Sequence, residues 1–144
     1  MRALIIFSAI FIFLASSTPS FSGGDKLRRP GRDGYLKRDS LDEDRINIYD
    51  RGGSSRGYLK EDSIFKERMS IYDKDGRKKG YIKKDTLFDD RTNIYDSNGR
   101  EKGYLKNDLL NEDRTIIYDK DGRKKGYLEE DSLSEDRLNI YRKE

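Results

Sequence analysis

Cysteine, histidine and tryptophan are all absent from this 144-residue chain. Without cysteine or histidine, nucleophilic triads and the commonest zinc sites have no residues to be built from. No disulfide can staple the fold. Long apolar runs are scarce as well: Ala3 to Leu14 is an almost uninterrupted run, well short of the ~20 apolar residues that a spanning helix requires. Arg2 precedes that run, and Ser20-Phe21-Ser22 places small residues where a signal peptidase needs them. Residues 1–22 therefore read as a cleaved secretory signal, which implies a secreted or periplasmic product with no transmembrane segment after cleavage. No cysteine follows the run, so a bacterial lipoprotein anchor is excluded.

Charge of one sign is also missing. The chain carries 31 Lys and Arg against 28 Asp and Glu, 41% of its residues in all. The signs are interleaved, which argues against a polyanion-binding tail and makes nucleic acid an unlikely partner. The near-zero net charge and the periodic Tyr, Ile and Leu argue against a disordered chain.

What is present is a 23-residue unit, run five times from Gly34, Gly57, Gly80, Gly103 and Gly126. Each copy reads Gly-Tyr-(Leu/Ile), Asp at its sixth place, Leu or Ile at its eighth, Arg at its twelfth, and Ile-Tyr at its fifteenth and sixteenth. Near-copies present the same groups five times, whereas catalysis needs one asymmetric constellation of unlike groups. A non-enzymatic scaffold or binding protein follows, with no cofactor. The fixed apolar and aromatic places imply a repeated packing contact.

After each Ile-Tyr come Gly52-Gly53, Asp75-Gly76, Asn98-Gly99 and Asp121-Gly122. These dipeptides predict two-residue type I′ hairpin turns. Such a turn at Asp75-Gly76 sets Asp73 opposite Lys78, Tyr72 opposite Lys79, Ile71 opposite Gly80, Ser70 opposite Tyr81 and Met69 opposite Ile82. Because side chains alternate along a strand, Met69, Ile71 and Ile82 then share an aliphatic face, while Tyr72 and Tyr81 share the other with lysines. Gly80, lacking a side chain, leaves room for Ile71 to fold over it. The stretch Asp85 to Asp90 loses alternation and predicts a tight connection of about one helical turn capped by Asp85 or Thr86.

One unit cannot bury enough to fold alone, since three or four aliphatic side chains at ~1.5–3 kcal/mol each face ~1.5 kcal/mol of entropy per ordered residue. The predicted class is all-β: an elongated antiparallel β-hairpin repeat array or solenoid, one hairpin per 23 residues. Residues 23–33 form a lead-in or partial repeat and 34–144 the five repeats. The incomplete hairpins at either end could close a ring or recruit another molecule through sheet edges.

The 23-residue period, with a hairpin per unit and the Gly76-x-x-x-Gly80 spacing just after a tyrosine, resembles the MORN-type repeats. That resemblance implies hairpin sheets used as scaffolds and attachment surfaces, over Gly34 to Glu144. The Tyr-x-Gly and Gly-x-Gly elements of that family are not found here. The layout of exported hairpin repeats with exposed aromatics is also similar to choline-binding wall modules, which use tryptophan instead.

Two sets of residues are candidates. Arg45, Arg68, Arg91, Arg114 and Arg137 recur with Asp39, Asp62, Asp85, Asp108 and Asp131, and predict an Arg–Asp ladder between adjacent copies. Tyr35, Tyr49, Tyr58, Tyr72, Tyr81, Tyr95, Tyr104, Tyr118, Tyr127 and Tyr141, flanked by lysines, predict a striped face suited to glycan rings, anionic wall polymers or a protein partner. The same rings could instead serve packing alone. Asp73-Lys-Asp-Gly76 echoes the opening of a calcium loop, but no closing Glu follows and turn chemistry explains it; no metal site is expected.

Overall fold

The computed structural model describes residues 31–143; the expected signal and residues 23–30 of the lead-in lie outside the described residues. Ten strands follow in order: β1 (Arg32–Arg38), β2 (Arg45–Asp50), β3 (Ser55–Glu61), β4 (Arg68–Asp73), β5 (Lys78–Lys84), β6 (Arg91–Asp96), β7 (Glu101–Asn107), β8 (Arg114–Asp119), β9 (Lys124–Asp131) and β10 (Ser134–Arg142). Each pairs antiparallel with its sequence neighbours, and β10 pairs with β1, so the sheet closes into a barrel. The expected all-β class and antiparallel hairpins are present, but the open array or solenoid is replaced by closure.

Closure has a physical cause. Each unit adds two strands and leaves one edge, and a row of five would end in two unpaired edges. Bending the row until those edges meet satisfies both, and the seam uses the internal register. Ile140 faces Gly34 and Asn139 faces Tyr35, as Ile48 faces Gly57 and Asn47 faces Tyr58. Of the two outcomes open to the chain ends, the described strands take ring closure and leave no open edge to recruit another molecule.

Alternation sends the aliphatic face inward. Leu36, Leu59, Ile82, Leu105 and Leu128 lie across from Ile48, Ile71, Ile94, Ile117 and Ile140, and all ten are buried. A second layer toward one mouth holds Ile46, Met69, Thr92 and Leu138, also buried. Side chains thus fill the barrel as a core. With aliphatics inside and tyrosine and charge outside, the polarity is the reverse of a membrane-spanning barrel.

Three predictions about the hairpins need correction. The Asp-Gly turns are not type I′, because only the glycine adopts positive φ, +77° at Gly76, and among the described residues no other residue type does. Gly76 N–H donates to the Asp73 carbonyl at 3.1 Å, and Asp73 N–H to that of Arg77 at 3.0 Å. This is a type I turn followed by a glycine bulge. Asp73 Oδ1 selects it by accepting the N–H groups of Asp75 and Arg77 at 2.9 Å each, an interaction that favours the right-handed region for the residues between. A further bulge at Lys79 sets Tyr72 opposite Lys78 rather than Lys79, after which Ile71 faces Gly80 as expected. The carboxylate of Asp73 accordingly meets Lys79, at 3.5 Å, instead of Lys78. As for Gly80, a Cβ there would strike the Tyr95 carbonyl oxygen on β6, so close backbone approach, not room for Ile71, requires glycine.

The connections at the other end are not helical. Asp85 does cap, accepting Leu87 N–H at 2.8 Å and Phe88 N–H at 3.2 Å, but the chain then turns back through Arg91 N–H to the Phe88 carbonyl at 3.1 Å.

The seam carries a reversed charge pair. Internal hairpins set Asp50 against Arg56, Asp73 against Lys79 and Asp96 against Lys102, whereas at the seam Arg142 meets Asp33 at 3.1 Å. Pairing β10 beside β3 instead would set Arg142 against Arg56. Arg142→Asp should lower stability by about 0.5–1 kcal/mol, a few degrees in Tm. Adding Asp33→Lys should restore it, as read by thermal unfolding followed by circular dichroism.

Candidate functional site

On the outer wall each copy builds the same unit. Its first and sixteenth-place strands pair so that the two tyrosines face each other: Tyr35 with Tyr49, Tyr58 with Tyr72, Tyr81 with Tyr95, Tyr104 with Tyr118 and Tyr127 with Tyr141. Ring centroids lie 4.8–4.9 Å apart and the planes within 15–19° of parallel. All ten rings are half-buried.

The arginine of one copy covers the first ring of the next. Arg45 lies over Tyr58 at 4.0 Å, Arg68 over Tyr81 at 3.7 Å, Arg91 over Tyr104 at 3.9 Å and Arg114 over Tyr127 at 4.3 Å. Arg137 lies over Tyr35 at 3.9 Å and completes the ring across the seam. A guanidinium on one face and a tyrosine on the other use both faces of these five rings. Stacking by a ligand therefore falls to Tyr49, Tyr72, Tyr95, Tyr118 and Tyr141.

The predicted Arg–Asp ladder exists, but within copies rather than between them. Arg45 and Asp39 lie 3.7 Å apart, Arg68 and Asp62 3.6 Å, Arg91 and Asp85 3.5 Å, and Arg137 and Asp131 3.5 Å. Both partners flank the same connector, so the chain's own turn brings them together. In the fourth copy Arg114 turns instead to Glu129 at 2.8 Å, and Asn111 reaches Asp108. What recurs at every junction between copies is the arginine–tyrosine stack, with single ion pairs such as Arg114–Glu129 beside it.

Sequence reasoning missed an asparagine at the fourteenth place. Asn47 accepts from Arg45 Nε at 2.9 Å and donates to Asp39 at 2.9 Å; Asn93 does the same between Arg91 and Asp85, at 2.7 Å each. Asn139 donates to Asp131 at 3.0 Å but takes Arg32 on its oxygen. The signal was Asn in three of five copies. Ser70 and Ile116 occupy the place elsewhere, and Arg68 Nε, Ser70 Oγ and Arg114 Nε are buried there without a hydrogen-bond partner, as is Arg137 Nε in the copy whose Asn139 accepts from Arg32 instead.

The lysines of the face are partly engaged. Lys60 is held by Asp42 at 2.9 Å, which raises its pKa, and Lys106 by Asp90 at 3.4 Å. The sixth-place aspartates, and Asp73 at a turn, are held below their ordinary pKa, chiefly by backbone N–H donors: Leu41 for Asp39, Ile64 for Asp62, Leu87 for Asp85, Leu110 for Asp108, Leu133 for Asp131, and Arg77 for Asp73.

Sequence reasoning also assigned the eighth place to packing, and the fold overturns this. Leu41, Ile64, Leu87, Leu110 and Leu133 are 79–95% exposed, and Phe65, Phe88 and Leu109 beside them are exposed as well. All eight lie on connectors, hence at one rim of the barrel.

No known protein family matches the sequence, and no curated protein does. A crystal structure of a protein from Arabidopsis thaliana is similar at 11% identity, over 78% of this chain and 82% of that one, with a TM-score of 0.46.

Two outcomes are expected. Ser70→Asn supplies the missing acceptor to Arg68 Nε and should raise stability by about 0.5–1.5 kcal/mol in urea unfolding. Aspartates with a depressed folded pKa stabilise the fold above their unfolded value, near 3.8, and that contribution is lost as pH falls. Tm should therefore hold at neutral pH and fall between about pH 5 and pH 2. Asp85→Asn, which keeps the cap acceptor but cannot titrate, should flatten that limb.

Proposed function

We propose that this chain is an exported, non-enzymatic binding barrel whose outer wall presents one aromatic and cationic motif five times to a ligand of repeating chemistry, a glycan or cell-wall polymer. The observation that carries this reading is the half-exposed second ring of each tyrosine pair, held rigid by its stacked partner and repeated round the wall. A rigid aromatic face offers contact area with little loss of side-chain entropy. Two strands per copy, at ~4.8 Å per strand, place successive motifs about 10 Å apart, so a long ligand can engage several at once.

A second reading, an anionic polymer, is favoured by charge at the hairpin-turn end. Residues 50–56, 73–79, 96–102 and 119–125, with Arg32, Asp33, Arg142 and Lys143, hold fifteen bases and eight acids, a net +7. Phosphate-type ligands would bind there with strong salt dependence.

Because the chain has no tryptophan, tyrosine emission reports on the wall directly. Neutral oligosaccharides of graded length should quench it with little effect of salt, and Tyr72→Ala should weaken binding about threefold to tenfold. Binding of inorganic polyphosphate that collapses at high salt, with no response to sugars, would move the assignment to the anionic polymer. Silence toward both would overturn it.

A further inference from the structure

The connector rim combines two properties that the fold itself does not require. The first is apolar exposure. Every copy ends its Asx-type turn on a Leu or Ile that faces solvent, as far as 95% exposed at Leu41 and Leu133, while the turn is held by the aspartate and the backbone. Single exposed leucines are ordinary, but a ring of them on one rim marks a contact surface.

The second property is charge. Residues 37–45, 60–68, 83–91, 106–114 and 129–137, which include the lysines paired with rim aspartates, hold eighteen acids and twelve bases, a net −6. The opposite end is net positive, so the barrel is polarised along its axis. Apolar tips about 10 Å apart, set in an acidic rim, define their complement.

We propose that this crown docks a cationic polypeptide surface bearing apolar side chains, whose Lys and Arg meet the acidic rim while its apolar groups cover the tips. An anionic lipid surface is repelled by the same rim. A second copy is the poorer fit: its basic end supplies cations, but turns such as Lys74-Asp75-Gly76-Arg77 bring no large apolar side chain to cover the tips. The surface is separate from the tyrosine wall, so either assignment can stand without the other.

The test uses the full chain and a dye-labelled amphipathic peptide of Leu and Lys, followed by fluorescence anisotropy. A Leu and Glu peptide of the same pattern and vesicles of phosphatidylglycerol or phosphatidylcholine run in parallel. The basic peptide should bind and the acidic one should not. The variant Ile64→Ser/Phe65→Ser/Leu87→Ser/Phe88→Ser, whose sites are already exposed, should keep its Tm and weaken binding about tenfold or more. Tyr72→Ala should leave peptide binding unchanged. Equal binding of both peptides, binding undiminished in the crown variant, preference for either vesicle, or sedimentation mass that grows with concentration through the crown would each overturn the proposal. If the quadruple variant unfolds, Leu41→Ser/Leu133→Ser, on the two most exposed tips, decides the same question.

Discussion

The pairing of β10 with β1 is the constraint on which the rest of the molecule depends. A hairpin of this size cannot bury enough apolar surface to offset its own ordering, so each copy is stable only between two neighbours. In a row, the first and fifth copies would each lack one. Closure gives every copy both neighbours, completes the aliphatic layers around Leu36 and Ile140, and lets Arg137 reach Tyr35 as Arg45 reaches Tyr58. The reversed pair of Arg142 and Asp33 marks this junction as unlike the internal ones. Charge thereby distinguishes the correct closing strand from internal strands with the same apolar pattern, a discrimination that burial alone cannot provide.

The wall follows from closure by alternation. Once Leu and Ile fill the inside, tyrosine must lie outside, where a bare ring would leave apolar surface in water. Stacking the two rings of a copy and covering the first with the preceding copy's guanidinium removes much of that surface from solvent while keeping the charge hydrated. The wall is thus a second packing layer outside the sheet. The copies differ where this layer is secured: an asparagine bridge in the first and third, a serine in the second, and in the fourth Ile116 with Glu129 drawing Arg114 aside. The two rings of a pair then differ in what covers them: the first has a ring on one face and a guanidinium on the other, while both remain half-buried.

Much of this order is local and therefore legible in sequence. The 23-residue period, the strand faces and the pairing of Ile71 with Gly80 follow from alternation and turn position, which act over a few residues. Closure is not local, because it depends on accumulated twist and bend over ten strands, to which the bulge beside Tyr72 contributes and which no single motif encodes. The turn type was misjudged because Asp-Gly suits two geometries, and the choice between them was made by the carboxylate of Asp73 two places before the pair. The Arg–Asp ladder was assigned between copies because equal spacing does not say which neighbour a long side chain reaches. Within a copy the connector turns the chain back in six residues, which puts Arg45 beside Asp39 before any neighbouring copy can compete.

The eighth place separates retention by folding from retention by something else. Within this chain the third and fifteenth places are kept because they pack the core, the first because the next strand's backbone comes too close for a side chain, and the second, sixth, twelfth and sixteenth because they build the wall. The place after the eighth has drifted, through Asp42, Phe65, Phe88, Asn111 and Ser134, while the place before it is Ser or Thr in all copies but the fourth, which has Leu109. Between them an aliphatic residue persists in all five copies although it touches no core. Recent duplication would have preserved the following place too, and turn formation asks only for the aspartate and the backbone. Solvent exposure of a large aliphatic group brings the folded monomer no burial energy and adds a tendency to associate. Its persistence five times on one acidic rim is what the proposed contact with a basic partner would account for.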